Sequence, residues 1–209
     1  NFFPLIKQVA IGKNPIIIST GLVNLVEIKK TLNFLKTYKS NRFIENKLSF
    51  LHCVTSYPVD PVYANLNAIK TLKEKFNITI GYSDHTLGIN ASIASVALGA
   101  RIIEKHFTIN KNHSEFRDHK ISADPEEFSK LVQSIREVER MLGNGEKIAQ
   151  PPEKQILVSI RRSAIAKNNI KKGTILTEEN ITWVRPGGGI NPEDTSELIG
   201  KRLKFNILK

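Results

Sequence analysis

Three short stretches carry the residues whose types and spacing could do chemistry. Thr55 and Tyr57 stand two apart, as do Ser83 and His85, with Gly81 a further two residues back. Glu104, His106 and Thr108 repeat the spacing. Side chains two apart on a strand point the same way. Each stretch therefore aims its polar groups in one direction, provided all three are strand ends. Two histidines on adjacent strand ends form a candidate metal pair. Neutral imidazole suits Mn, Fe, Co or Zn, and a carboxylate or a substrate oxygen can complete the coordination. The bland alternative is a buried histidine bonded to a backbone carbonyl. His52, out of phase with Thr55 and Tyr57, and His113, read as loop, have no such support.

The surrounding pattern supplies the strands. Pro15-Ile16-Ile17-Ile18-Ser19-Thr20 is a β-branched run ending at Gly21. Further strands are predicted over 48–54, 78–84 and 101–107. Between them, Leu25, Ile28, Leu32 and Leu35 share a helical face, as do Leu66, Ile69, Leu72 and Phe76. Residues 90–98 read as a short Ala-rich helix. Asp124, Pro125 and Glu127 then mark a helix start, Phe128, Leu131, Val132, Ile135 and Val138 its apolar face, and Gly143 its stop. Strand and helix alternating at about 30 residues per unit predicts parallel strands with right-handed crossovers. Four such units make half of a (β/α)8 barrel or a small doubly wound sheet. No Gly-x-Gly-x-x-Gly or Walker-type loop supports a nucleotide-binding version. In either fold the ligand end is the C-terminal end of the strands, where the polar pairs sit.

Asn144-Gly145 and Gln150-Pro151-Pro152-Glu153 break the rhythm and read as a linker. Beyond it, short apolar runs divided by Asn168-Asn169 and Lys172-Gly173 predict a small, turn-rich β domain.

Composition removes several classes. With 209 residues and 40% apolar side chains the chain can bury a core. The single Cys53 excludes an intramolecular disulfide framework and multi-cysteine zinc sites. No apolar run approaches the roughly 20 residues of a membrane helix. Thirty-one Lys plus Arg against 20 Asp plus Glu give a net charge of +11, of which +5 falls after residue 150. That balance suits an anionic partner, although a Lys-, Asn- and Ile-rich coding bias would produce it too.

Taken in order, the motifs are far more specific. They run Leu51-His52-Cys53-Val54-Thr55-Ser56-Tyr57-Pro58, Asn65-Leu66-Asn67-Ala68-Ile69, Gly81-Tyr82-Ser83-Asp84-His85-Thr86-Leu87-Gly88, Ala97-Leu98-Gly99-Ala100, Ile103-Glu104-Lys105-His106-Phe107-Thr108 and Asp118-His119-Lys120. This series closely resembles the sialic acid synthase family, meaning N-acetylneuraminate synthases and their legionaminate and pseudaminate relatives. In the small domain, Ile170-Lys171-Lys172-Gly173, Glu178-Glu179-Asn180-Ile181 and Arg185-Pro186-Gly187-Gly188-Gly189-Ile190 resemble the family's antifreeze-like (SAF) domain.

The resemblance implies an α/β fold: the C-terminal half of a TIM (β/α)8 barrel over 1–148, a linker over 149–156 and an SAF domain, C-terminally truncated, over 157–209. It implies a transferase that condenses phosphoenolpyruvate with N-acetylmannosamine and releases phosphate. A diacetamido trideoxy hexose, giving legionaminate or pseudaminate, is the alternative within the family. A non-catalytic sugar- or anion-binding module and an inactive structural remnant are the alternatives outside it. By motif position His85 and His106 would hold a divalent metal, Mn²⁺ first and Mg²⁺ or Co²⁺ as alternatives, with Glu104 orienting His106 or the metal-bound group. Ser83 would bind phosphate, with Thr55 and Lys13 as further candidates. Tyr57 and Asp118 would contact the amino sugar. Arg185 would reach the barrel mouth of a partner subunit in a domain-swapped homodimer. The expected setting is cytoplasmic, with no nucleic acid and no membrane.

Three departures from the family pattern stand out. Thr55 replaces an Asn found in some members, Phe116-Arg117 replaces a Gly-Pro before Asp118, and Lys13 is shifted by one residue from a Lys that commonly precedes the Pro of the first strand. A whole barrel takes about 250 residues. The chain is therefore expected to be an internal piece of a longer protein, inactive and poorly soluble alone.

Overall fold

The computed structural model describes residues 2–114 and 117–209. The chain divides into two compact units, Asn1–Gly145 and Glu146–Lys209. In the first, β1 (Ile16–Ser19), β2 (Leu48–Cys53), β3 (Thr79–Asp84) and β4 (Ile103–Lys105) form one parallel sheet in chain order. That order decides between the two predicted architectures. A doubly wound sheet reverses its strand order at a switch point, whereas a barrel arc adds each strand beside the last. This sheet is a half barrel.

Among the described residues seven α-helices accompany it: α1 (Phe3–Ile11), α2 (Leu25–Lys36), α3 (Asn41–Lys47), α4 (Ala68–Lys75), α5 (Asn90–Ala97), α6 (Arg117–Ile121) and α7 (Pro125–Leu142). Asn24 caps α2 by accepting from Val26 and Glu27 amides, and Asp124 caps α7 by accepting from Glu127. The sequence pattern did not show α1 or α3, both short. α3 is started by Ser40, whose hydroxyl accepts from the Phe43 amide. Among the described residues, no helix is long and apolar enough to cross a membrane.

The sheet is two-faced. Ile16, Leu48, Phe50, Ile80 and Tyr82 pack with Ile28, Leu35, Ile69 and Leu72 of the helices in one core. Each such side chain, fully buried, contributes about 1.5–3 kcal/mol. The alternate residues Leu51, Cys53, Gly81, Ser83 and Glu104 take the opposite face, and register aligns Leu51 with Gly81 and Cys53 with Ser83. Ser83 in turn aligns with Glu104.

In the second unit α8 (Pro151–Ile160) precedes an antiparallel pair, β5 (Ser163–Ala166) and β6 (Ile181–Val184). Ala166, Ile170 and Leu176 form a small core with Leu198 and Leu203. The linker expected over 149–156 is helical from Pro151 onward. Both prolines occupy the first turn, where a missing amide proton breaks no helical bond. The Gln150 amide donates to the Glu153 carboxylate at 2.7 Å, a second start signal. The apolar run 157–160, read as part of a β domain, belongs to the same helix.

Gly81 fixes the spacing beneath the polar strand ends. A Cβ there would lie 2.5 Å from the Ile102 carbonyl oxygen and 2.5 Å from Leu51 Cδ2. Gly81→Ala is expected to destabilise the first unit by about 1–3 kcal/mol through overpacking. A lowered urea midpoint with unchanged slope would show it; an unchanged midpoint would contradict it.

Candidate functional site

β3 and β4 end side by side, and their last residues divide between the faces. Asp84 turns toward the helices and is fully buried. Its Oδ1 accepts from the Thr86 amide and hydroxyl, both at 2.8 Å, and its Oδ2 from Ser92 Oγ at 2.6 Å. Lys105 Nζ lies 3.2 Å from Oδ2, with both side chains at most 1% exposed, and also donates to the Thr86 carbonyl at 2.5 Å. Burial, with the Asp84 carboxylate beside it, pushes the Tyr82 phenol well above its usual range.

The opposite face carries the chemistry. His85 Nδ1 lies 2.9 Å from the Val54 carbonyl. A carbonyl only accepts, so Nδ1 donates, and in the neutral ring the lone pair is on Nε2. The His106 ring centroid is 5.3 Å away at 71° to the His85 plane. Tyr57 completes a triangle of rings, at 4.2 Å from His85 and 5.7 Å from His106. Two residues back along the strands, Ser83 Oγ donates to Glu104 Oε1 at 2.6 Å. Cys53 Sγ is 3.9 Å from His85 Nδ1 and is a free thiol.

A divalent metal can be tested against this donor set. An imidazole whose other nitrogen donates to a carbonyl is the usual form of a ligating histidine. His85 therefore fits, and His106 faces it. Among the described residues no group of three or more His, Cys, Asp and Glu could hold an ion. The pair thus offers two positions and leaves the rest to water or substrate oxygens.

The structure brings Tyr57, Ser83, His85, Glu104 and His106 together. Thr55 follows β2 and packs against the turn after β1, where a Cβ on Gly21 would lie 2.1 Å from Thr55 Oγ1. Asp118 is in α6, which His119 ties to the residues after β4 through a 2.9 Å contact between Nδ1 and Thr108 Oγ1. Of the departure before Asp118, Phe116 lies outside the described residues. Lys13 precedes β1, at the end of the sheet away from the cluster. The phosphate contact expected of it has no geometric support, because β1 lies between it and the strand ends that gather the other groups. Arg185 directly follows β6 in the second unit.

Sequence reasoning missed Asp84 and Lys105, whose phase set them apart from the polar pairs. It also missed a cavity of about 760 Å³ whose lining includes Thr20, Asn24, Thr55, Asn65 and Asn67. That cavity lies beside the tips of β1 and β2 and does not include the two histidines.

Residues 1–147 match the NeuB family and residues 161–209 the SAF domain. The chain therefore belongs to the NeuB family. It is 50% identical over 203 residues to an uncharacterized protein of Methanocaldococcus jannaschii, covering 97% of this chain and 58% of that one. It is 43% identical over 198 residues to the N,N'-diacetyllegionaminic acid synthase of Campylobacter jejuni, covering 95% and 58%. Other relatives are named pseudaminic acid synthase and N-acetylneuraminate-9-phosphate synthase. The crystal structure of an N-acetylneuraminic acid synthetase from Leptospira borgpetersenii superposes with a TM-score of 0.66 at 38% identity, over 73% of this chain and 51% of that one. The chain spans 58% of the length of each of the two relatives first described.

His52 is the bland case foreseen for histidines. It is buried, and Nε2 donates to the Ala64 carbonyl at 2.9 Å. Burial lowers its pKa below the usual 6.5, opposed in part by the backbone bonds. The unfolded chain then binds the extra proton more readily. Stability from neutral His52 is complete above pH 6.5 and is lost as pH falls through the lower folded value. Urea midpoints are expected to fall between pH 7.5 and 5.5, and less so in His52→Gln. An equal fall in both proteins would contradict this.

Proposed function

We propose that the full-length protein is a nonulosonate synthase that condenses phosphoenolpyruvate with an N-acylated amino sugar and releases phosphate. The observation carrying this is the pair of facing imidazoles at adjacent parallel-strand ends, one with its lone pair freed by a carbonyl, in a chain of the NeuB family.

His85, through Nε2, and His106 would hold a divalent ion, Mn²⁺ in the first instance with Mg²⁺ or Co²⁺ as alternatives. When bound, that ion supplies Lewis acidity to the aldehyde oxygen and a template for both reactants. The Val54 carbonyl keeps the His85 proton on Nδ1. Tyr57 lies tilted against the His85 ring and edge-on to His106, and would offer a surface to the amino sugar. Ser83 Oγ donates to Glu104 at rest and would turn to donate to a phosphate oxygen. Glu104 then keeps a carboxylate about 7 Å along the strand from His106, on the same face, able to orient the bound group. Asp118 would meet the sugar from α6, and Thr55 would meet phosphate from the far rim. Lys13 is not included.

The sugar is N-acetylmannosamine or a 2,4-diacetamido trideoxy hexose. The legionaminic acid synthase similarity, 43% against 37% for the human N-acetylneuraminate-9-phosphate synthase, weighs toward the second. Arg185 would act in a partner's site within a domain-swapped homodimer, and the cytoplasm is the setting proposed for all of this.

The test is phosphate release by the full-length gene product with Mn²⁺, phosphoenolpyruvate and each sugar. His85→Ala and His106→Ala are each expected to cut turnover by more than about 100-fold, beyond the usual loss from an outer partner. Unchanged turnover in both variants would refute the assignment. Arg185→Ala is expected to raise KM for the sugar more than KM for phosphoenolpyruvate, and equal effects would remove its cross-subunit role.

A further inference from the structure

We propose that the buried Asp84–Lys105 pair is a positioning device that sets the separation of His85 and His106; this rests on the metal-holding role proposed for those histidines. Asp84 immediately precedes His85, and Lys105 immediately precedes His106. The two are also register partners across β3 and β4. Side chains alternate along a strand. A bond joining Asp84 to Lys105 on the helix side therefore clamps the backbone from which both imidazoles leave on the other side.

The clamp grips His85 from both directions. Asp84 Oδ1 takes the amide and hydroxyl of Thr86, and Lys105 Nζ takes the Thr86 carbonyl. The residues before and after His85 are thus pinned to each other and to β4. Ser92 Oγ ties the same carboxylate to α5. The His85 ring has its own anchor at the Val54 carbonyl on β2's exit. With backbone and ring both held, His85 has one orientation, and His106 is carried at a fixed distance from it.

Stability does not require a charge pair here. A buried ion pair replaced by apolar residues of similar volume is often neutral or stabilising. What an apolar pair lacks is direction. A carboxylate saturated by Thr86, Ser92 and Lys105 accepts one arrangement, and a metal site needs its ligands held to within about 0.5 Å.

Separating positioning from simple stability takes two variants of the full-length protein. Lys105→Met leaves Asp84 buried and unpaired. Asp84→Asn combined with Lys105→Met removes both charges. Mn²⁺ affinity is read from the free-ion electron paramagnetic resonance signal during titration, alongside thermal melting. Lys105→Met is expected to melt well below the wild type. The double variant is expected to recover most of that melting temperature yet bind Mn²⁺ about 10-fold or more weakly than the wild type. Wild-type Mn²⁺ affinity in the double variant would overturn the positioning role alone. Absence of Mn²⁺ binding by the wild type would overturn the histidine assignment with it. Should the double variant fail to fold, Thr86→Val decides: weakened Mn²⁺ binding at unchanged melting supports the clamp, and unchanged binding overturns it.

Discussion

A carboxylate with no access to water governs this half barrel. Burying an ionised group costs several kcal/mol unless charge and hydrogen bonds compensate. Asp84 can exist in its position only if β4 delivers Lys105, the turn after β3 delivers Thr86, and α5 delivers Ser92. Three elements separated in sequence must therefore converge on one oxygen pair. That requirement fixes how far β3 and β4 run beside each other and where the chain leaves them. Both positions are what the two histidines inherit.

The two-residue strand period lets one segment do two jobs. In Tyr82-Ser83-Asp84-His85, the first and third residues face the helices, Tyr82 in the apolar core and Asp84 in its polar pocket. The second and fourth face the polar cluster, Ser83 bonded to Glu104 and His85 set against Tyr57 and His106. A slip of one residue would exchange the two sets and leave a charged lysine and carboxylate without partners. The buried pair therefore guards the register as well as the spacing. Gly81 adds a steric limit one row below, where no side chain fits between Leu51 and the Ile102 carbonyl.

Much of this was legible in the residues. Four strands, the four helices α2, α4, α5 and α7, and the Asp124 cap followed from apolar periodicity and capping chemistry, because those depend on neighbours a few residues apart. The grouping of Tyr57, Ser83, His85, Glu104 and His106 followed from phase once the strands were parallel. What escaped depends on distant partners. Asp84 and Lys105 are 21 positions apart and look like ordinary surface charges until β3 and β4 pair. Pro151-Pro152 reads as a linker because proline breaks helices in their interior; only the position at a helix start makes it favourable. The expectation for Lys13 rested on motif position alone, which does not say how far that side chain stands from the strand ends.

The charge of the chain takes on a different meaning beside this site. A net +11 invites the idea of a basic pocket for an anion. Yet the polar cluster holds two imidazoles, a tyrosine, a serine hydroxyl and the Glu104 carboxylate. Lys105, at the end of β4, faces away and pairs with Asp84. The Glu104 carboxylate repels a phosphate or a carboxylate, and no Lys or Arg stands among these five side chains to offset it. An anionic substrate settles in such surroundings only with added positive charge within a few ångströms. Under the proposed function that charge would come from an ion held by the His85–His106 pair, with the surface surplus acting on anions only at longer range.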